Sequence, residues 1–309
     1  IMGKLNLGID FSGGRNYIIR FAEPVNTQEV NAALDNVFME AKSELADEET
    51  FAVNVITIGD ANQVRVSTNY RINDNSETLD DEIEALLYEG CKQFLPENVT
   101  LKEFTSTDIN PEIGIMQSQK VGPAIADDIT QSAVWAVLAA LLGIFLYVLL
   151  RFRNFSFSVG ALAGLAHNTL IVLGAYALLW KVMPFSMEID QSFIAAILTV
   201  IGYSINDTVV IFDRVREYTG LYPKRARKQN INDALNQTLS RTFSTSMSTL
   251  VVLIAIFCFG GETIRGFVFA LIIGVVVGTY SSLCVATPLA YDIQEALDRR
   301  KAKKAALNK

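Results

Sequence analysis

The sequence predicts an α-helical membrane bundle of five spans joined to a small α+β domain, a ferredoxin-like sandwich standing outside the membrane. Three observations predict it. Five windows, Ile129–Leu150, Phe157–Trp180, Phe193–Phe212, Thr242–Phe259 and Ile264–Leu289, are mostly apolar, and a span needs about 20 such residues to cross about 30 Å of hydrocarbon. The charge is split: residues 1–130 hold 9 Lys/Arg against 23 Asp/Glu, and residues 131–309 hold 17 against 10. The first 106 residues carry periodicities in the order βαββαβ, that of a split sandwich.

Each element follows in turn. Asn6–Phe21 alternates as a strand interrupted by a turn at Ser12-Gly13-Gly14, with Asp10 a candidate turn cap. Glu29–Leu45 is helical, with Val30, Ala33, Leu34, Val37 and Phe38 on one face and Thr27 as N-cap. Phe51–Ile58 and Gln63–Tyr70 read as a hairpin around Gly59-Asp60-Ala61-Asn62. Ser76–Phe94 is a second helix, apolar at Leu79, Ile83, Leu86, Leu87 and Cys91, and Val99–Ser106 is a last strand. The organisation expected is an outside domain over 1–125, a bundle over 126–292 and a basic tail over 293–309.

The spans orient themselves by charge. Arg151 and Arg153, then Arg214 to Lys228, then Arg299 to Lys309 place 14 basic residues in alternate connectors and the tail, against Lys181 and Arg265 on the other side. Cytoplasmic loops carry the excess of Lys and Arg, so the tail is cytoplasmic and the acidic domain outside. An outside domain with no secretory signal before it is expected to follow an upstream span. Its acidity argues against nucleic acid, which needs clustered Lys/Arg. Only Cys91 lies in that domain, so no disulfide forms within it; Cys258 and Cys284 sit in apolar runs. No constellation of His, Cys or paired carboxylates marks a catalyst, and no metal or cofactor is expected.

Two charges inside apolar stretches carry the functional reading. Asp207 and Arg241 are contributed by successive spans, and a lone charge at mid-bilayer costs about 2.5–3.5 kcal/mol on insertion scales. A carboxylate facing a guanidinium that never deprotonates is a two-state device: ionised it holds, protonated it releases. Ser204, Asn206, Thr208, Ser240, Thr242, Ser244, Thr245, Ser246, Ser248 and Thr249 surround them, either as a line of water-binding hydroxyls or as small residues that let helices pack closely. His167, the single histidine, is a proton relay or a packing residue. Gly160/Gly164 and Gly274/Gly278 are most simply close-packing pairs. The basic connector Arg214–Lys228 needs no role beyond topology.

Several motifs in fixed order resemble a known family. Leu5-Asn6-Leu7-Gly8-Ile9-Asp10-Phe11-Ser12-Gly13-Gly14, Val121-Gly122-Pro123, the run Ile201 to Arg214, Leu239-Ser240-Arg241-Thr242 and Phe259-Gly260-Gly261 are similar to SecF, the accessory subunit of the bacterial Sec translocase, in the resistance-nodulation-division superfamily. The resemblance implies six spans with the large domain after the first, in a free SecF or the second half of a fused SecDF. It implies residence in the inner membrane with a periplasmic domain, and SecD, the SecYEG channel, unfolded preprotein and membrane lipid as partners. It further implies use of the proton gradient to help preproteins finish crossing, with Asp207 and Arg241 on the proton pathway and Asn206, Ser204 and Ser240 as neighbours. The chain departs from the family at Ala166-His167-Asn168, where relatives often have Asp and an amide cannot titrate. A proton-driven efflux transporter of the same superfamily and a non-transporting assembly scaffold are the alternatives.

Overall fold

A four-stranded antiparallel sheet and five membrane-length helical spans build the computed structural model, which describes residues 5–45, 51–74, 76, 78–180, 182–183 and 185–307. Lys181 and Lys309, counted in the charge pattern, lie outside the described residues.

The first element among the described residues is one helical turn, α1 (Ile9–Ser12), where the alternation read as a strand. Gly13 (φ +70°) and Gly14 (φ +142°) then turn the chain into β1 (Gly14–Arg20), and a Cβ on Gly14 would lie 2.7 Å from the Thr68 carbonyl oxygen. Only glycine combines that backbone with that approach. Helix α2 (Thr27–Leu45) buries Val30, Leu34 and Phe38, spaced four apart. Its cap is Asn26 and not Thr27: Asn26 Oδ1 accepts from the Gln28 N–H at 3.0 Å. Strands β2 (Val53–Thr57) and β3 (Gln63–Thr68) form the expected hairpin, and α3 (Leu79–Cys91) buries Leu79, Ile83, Leu87 and Cys91.

The last strand is not where the alternation placed it. Residues 101–105 form a helical turn, α4 (Leu101–Thr105), because Glu103 reaches back to cap it, accepting from the Thr100 N–H at 2.7 Å and the Thr100 hydroxyl at 2.9 Å. The strand is β4 (Gly114–Val121), immediately before the first span. The sheet order β2-β3-β1-β4, all antiparallel, is that of the expected sandwich. Its core of Tyr17, Ile19, Phe38, Val64, Val66, Ile83, Leu87 and Phe104 lies between the sheet and α2/α3.

The bundle comprises α5 (Pro123–Phe152), α6 (Phe155–Leu179), α7 (Gln191–Leu221), α8 (Arg227–Phe259), α9 (Glu262–Ser281) and α10 (Thr287–Leu307), the last two joined by a π-helical segment, Ser282–Ala286, into one long span. In α5 6% of the apolar window is buried, against 44% in α7 and in the α9–α10 rod, so α7 and α9 are the middle of the bundle and α5 its rim. The glycine pairs act as close-packing sites. A Cβ on Gly160 would lie 2.6 Å from the Ala286 carbonyl oxygen, and one on Gly164 would lie 3.0 Å from the Ala286 side chain. Helix α8 starts 15 residues before its apolar stretch, and the residues from 293 onward continue α10 through Leu307.

Candidate functional site

The buried face of α7 reads Ser204, Asp207, Thr208, Ile211, the i, i+3, i+4, i+7 spacing that aligns side chains on one side of a helix. Asp207 is 5% exposed and its Oδ2 has no hydrogen-bond partner among the described residues. A buried acceptor without a donor costs about 1–3 kcal/mol, so this carboxylate is held at an energetic disadvantage inside the bundle.

Three helices supply polar side chains on this side of α7. From α8, Ser246 comes within hydrogen-bonding reach of Asp207, and the Ser246 and Thr279 hydroxyls are 2.6 Å apart. From the π segment, Ser282 Oγ lies 2.9 Å from Thr208 Oγ1 and donates to the Gly278 carbonyl at 2.9 Å. The Thr287 hydroxyl donates to the Ser282 carbonyl at 2.9 Å, one of the groups that the wider π turn offers to side chains. From α6 comes Asn168, 0% exposed, with both Nδ2 and Oδ1 unpartnered among the described residues. Gly278 makes room for this convergence: a Cβ there would lie 3.1 Å from both Asn168 Nδ2 and Ser204 Oγ.

The residues singled out in the sequence separate into two groups. Asp207 and Ser204 are in the buried site, while Asn206, Ser240 and Arg241 are exposed on this chain. The direct ion pair expected of Asp207 and Arg241 is not formed: among the described residues no ion pair within 4.0 Å includes either, although Arg241 is within electrostatic reach of Asp207. The cause is helical phase. Thr242 and Ser246, one turn apart, face inward and are buried, and one residue back rotates the side chain by about 100°. His167 has its ring 6.2 Å from that of Tyr280 and a buried Nδ1 with no partner among the described residues.

Sequence reasoning gave Asn168 no part beyond its inability to titrate, and missed Thr279 and Ser282. The signal for Asn168 was its place on the helix of the Gly160/Gly164 pair; a π turn has no comparable signature. Asp10 caps a helix across the fold and not a local turn, accepting from the Gln191 N–H at 3.2 Å.

Comparison with known proteins covers most of the chain. Residues 101–296 match the family model of the protein export membrane protein SecD/SecF, C-terminal, and residues 3–25 match the SecD/SecF GG motif. The chain is 40% identical over 291 residues to the protein translocase subunit SecF of Rhodothermus marinus, covering 94% of this chain and 84% of that one. It is 36% identical to the SecF of Thermodesulfovibrio yellowstonii, covering 93% and 83%. Among solved structures it resembles the crystal structure of SecDF, a translocon-associated membrane protein, from Thermus thermophilus, at 30% identity and a TM-score of 0.72 over 95% of this chain. The chain spans 35% of that longer protein.

Proposed function

The chain belongs to the SecD/SecF family of protein export membrane proteins, and from that premise we propose that it assists protein translocation across the inner membrane, together with SecD and the SecYEG channel, using the proton gradient. The outside domain faces the periplasm and meets emerging unfolded preprotein; the tail of α10 is cytoplasmic.

One observation carries the proton-driven part of the reading: a buried carboxylate, Asp207, with an oxygen unpartnered among the described residues and the Ser246 hydroxyl of α8 within reach. One proton moving through 100 mV releases about 2.3 kcal/mol. A charged side chain at mid-bilayer costs about 2.5–3.5 kcal/mol on insertion scales. The two magnitudes are comparable, so a single proton per cycle is enough to change which charge state, and which helix packing, is favoured. Protonation of Asp207 removes a buried charge, and the hydroxyls of Ser246, Thr279, Thr208 and Ser282 can donate or accept as the charge changes. Arg241 contributes its field and not a contact. Its neighbours on the outward side of α8, Ser240, Ser244 and Ser248, are also exposed. A polar strip in lipid is costly, which supports a partner bundle lying against α8.

Asp207→Asn tests the reading. Export and gradient-dependent proton flux are both expected to collapse while membrane insertion is retained; wild-type export and flux in that variant would overturn it.

A further inference from the structure

The sheet domain grips the bundle at two places, one at the end of β4 and one reached from β2 and β3. At one edge, β4 ends at Val121 and α5 begins at Pro123, with Gly122 alone between them. Turn α1 packs against the same joint, through Ile9, Val121, Ala126 and Ile129. The second grip falls on the connector between α6 and α7. Ile189 N–H donates to the Asn6 carbonyl at 2.8 Å and Gly8 N–H donates to the Ile189 carbonyl at 3.0 Å. From β3, Arg65 Nη2 donates to Glu188 Oε2 at 2.8 Å and to the Ser186 hydroxyl at 3.2 Å. From β2, Asn54 Nδ2 donates to Glu188 Oε1 at 3.4 Å. The Arg65 and Glu188 side chains are 19% and 8% exposed.

This second grip is placed at the head of the helix that carries the buried carboxylate. Asp190 caps α7, accepting from the Phe193 N–H at 2.8 Å, and Asp207 follows about 25 Å along the same helix at about 1.5 Å per residue. A continuous helix transmits displacement along its axis. The sheet, held by α5 at β4 and by the head of α7 at β2 and β3, must tilt when α7 shifts against α5. We infer that the Glu188–Arg65 pair transmits movement of α7 to the periplasmic sheet domain. No other ion pair between described residues joins that domain to the bundle. The inference deepens the reading of Asp207 and rests on it.

The test uses the full chain in lipid nanodiscs for amide hydrogen exchange, and cells lacking their own copy for export. Glu188→Gln and Arg65→Leu each strand one member of a largely buried pair, which is more damaging than replacing both. Exchange at Gly8 and Ile189 is expected to rise by about tenfold or more, with loss of export. The double variant Arg65→Leu/Glu188→Leu, which packs where the pair stood, is expected to recover protection and part of export. Single variants that keep protection, or that lose protection yet export normally, overturn the inference. Should Glu188→Gln misfold, Arg65→Lys, which keeps the charge but not the planar fork, carries the same two readouts. Asp207→Asn, run in parallel, separates the two ideas: normal export there sinks the proton reading, while exchange at the clasp reports on the pair regardless.

Discussion

Gly274 and Gly278 lie one turn apart on α9, yet alanine at the two positions is expected to do different damage. At Gly274 the new methyl meets the Val200 side chain, 2.6 Å from Cγ1 and closer still to Cγ2. Valine is stiff at χ1 and cannot swing aside, so α7 and α9 must separate. Overpacking of this kind costs about 1–3 kcal/mol, against about 0.5–1 kcal/mol regained by removing a glycine from a helix. At Gly278 the methyl meets Asn168 Nδ2 and Ser204 Oγ at 3.1 Å and Ser204 Cβ at 3.2 Å. The two polar ends yield by a few tenths of an ångström, and Ser204 Cβ asks the same of the backbone. Gly274→Ala is therefore expected to lower the apparent melting point in detergent by a few degrees, since each kcal/mol is worth about 2–4 °C in a chain of this order of size. Gly278→Ala is expected to melt within about 2 °C of wild type on the same scale, but to lose most proton flux in reconstituted vesicles, because it displaces two members of the polar site. A Gly278→Ala protein that melts as low as Gly274→Ala, or that keeps full flux, would refute the assignment of Asn168 and Ser204 to that site.

One further outcome follows from the sheet domain. Cys91 is fully buried, its thiol pushed up to about 12 by burial, so a maleimide is expected to label it only once the sheet domain unfolds; labelling of the native protein would contradict the core described.

How much of this was legible in the sequence depends on which physical signal was in play. The spans were, because about 20 apolar residues in a row have few other uses. So were α2, α3 and the hairpin, whose apolar positions repeat at the helical and strand periods. Val99–Ser106 was misread because alternation over eight residues is weaker than one reciprocal cap: Thr100 and Glu103 close a helical turn with two hydrogen bonds. The strand that replaced it, β4, has four exposed residues in a row at its centre, and so gave no alternating pattern to find. Asp207 was legible as a charge in an apolar run. Asn168 and Ser282 were not, because uncharged polar residues in a membrane helix are usually packing residues; only the approach permitted by Gly278 shows that Asn168 meets Ser204, and only the π turn brings Ser282 to Thr208. The Glu188–Arg65 pair is separated by more than a hundred residues, and no local rule connects them.

Arg241 shows where reading by depth ends and helical phase takes over. It was placed opposite Asp207 because successive antiparallel helices bring both to a similar level, and level alone does not fix the direction of a side chain. With Thr242 and Ser246 taking the inward positions, Arg241 is left to act on Asp207 through its charge. A field has no use for a planar fork, and lysine carries the same charge on a flexible stem. Arg241→Lys is therefore expected to keep most of its export and proton flux, while Arg241→Gln, which deletes the charge, loses both. If Arg241→Lys fails as badly as Arg241→Gln, a two-pronged guanidinium contact must form in another state of the cycle. In that case α8 would have to turn by a large part of the roughly 100° that separates neighbouring residues on a helix, and rotation of α8, instead of displacement of α7 alone, would be the movement that the proton drives.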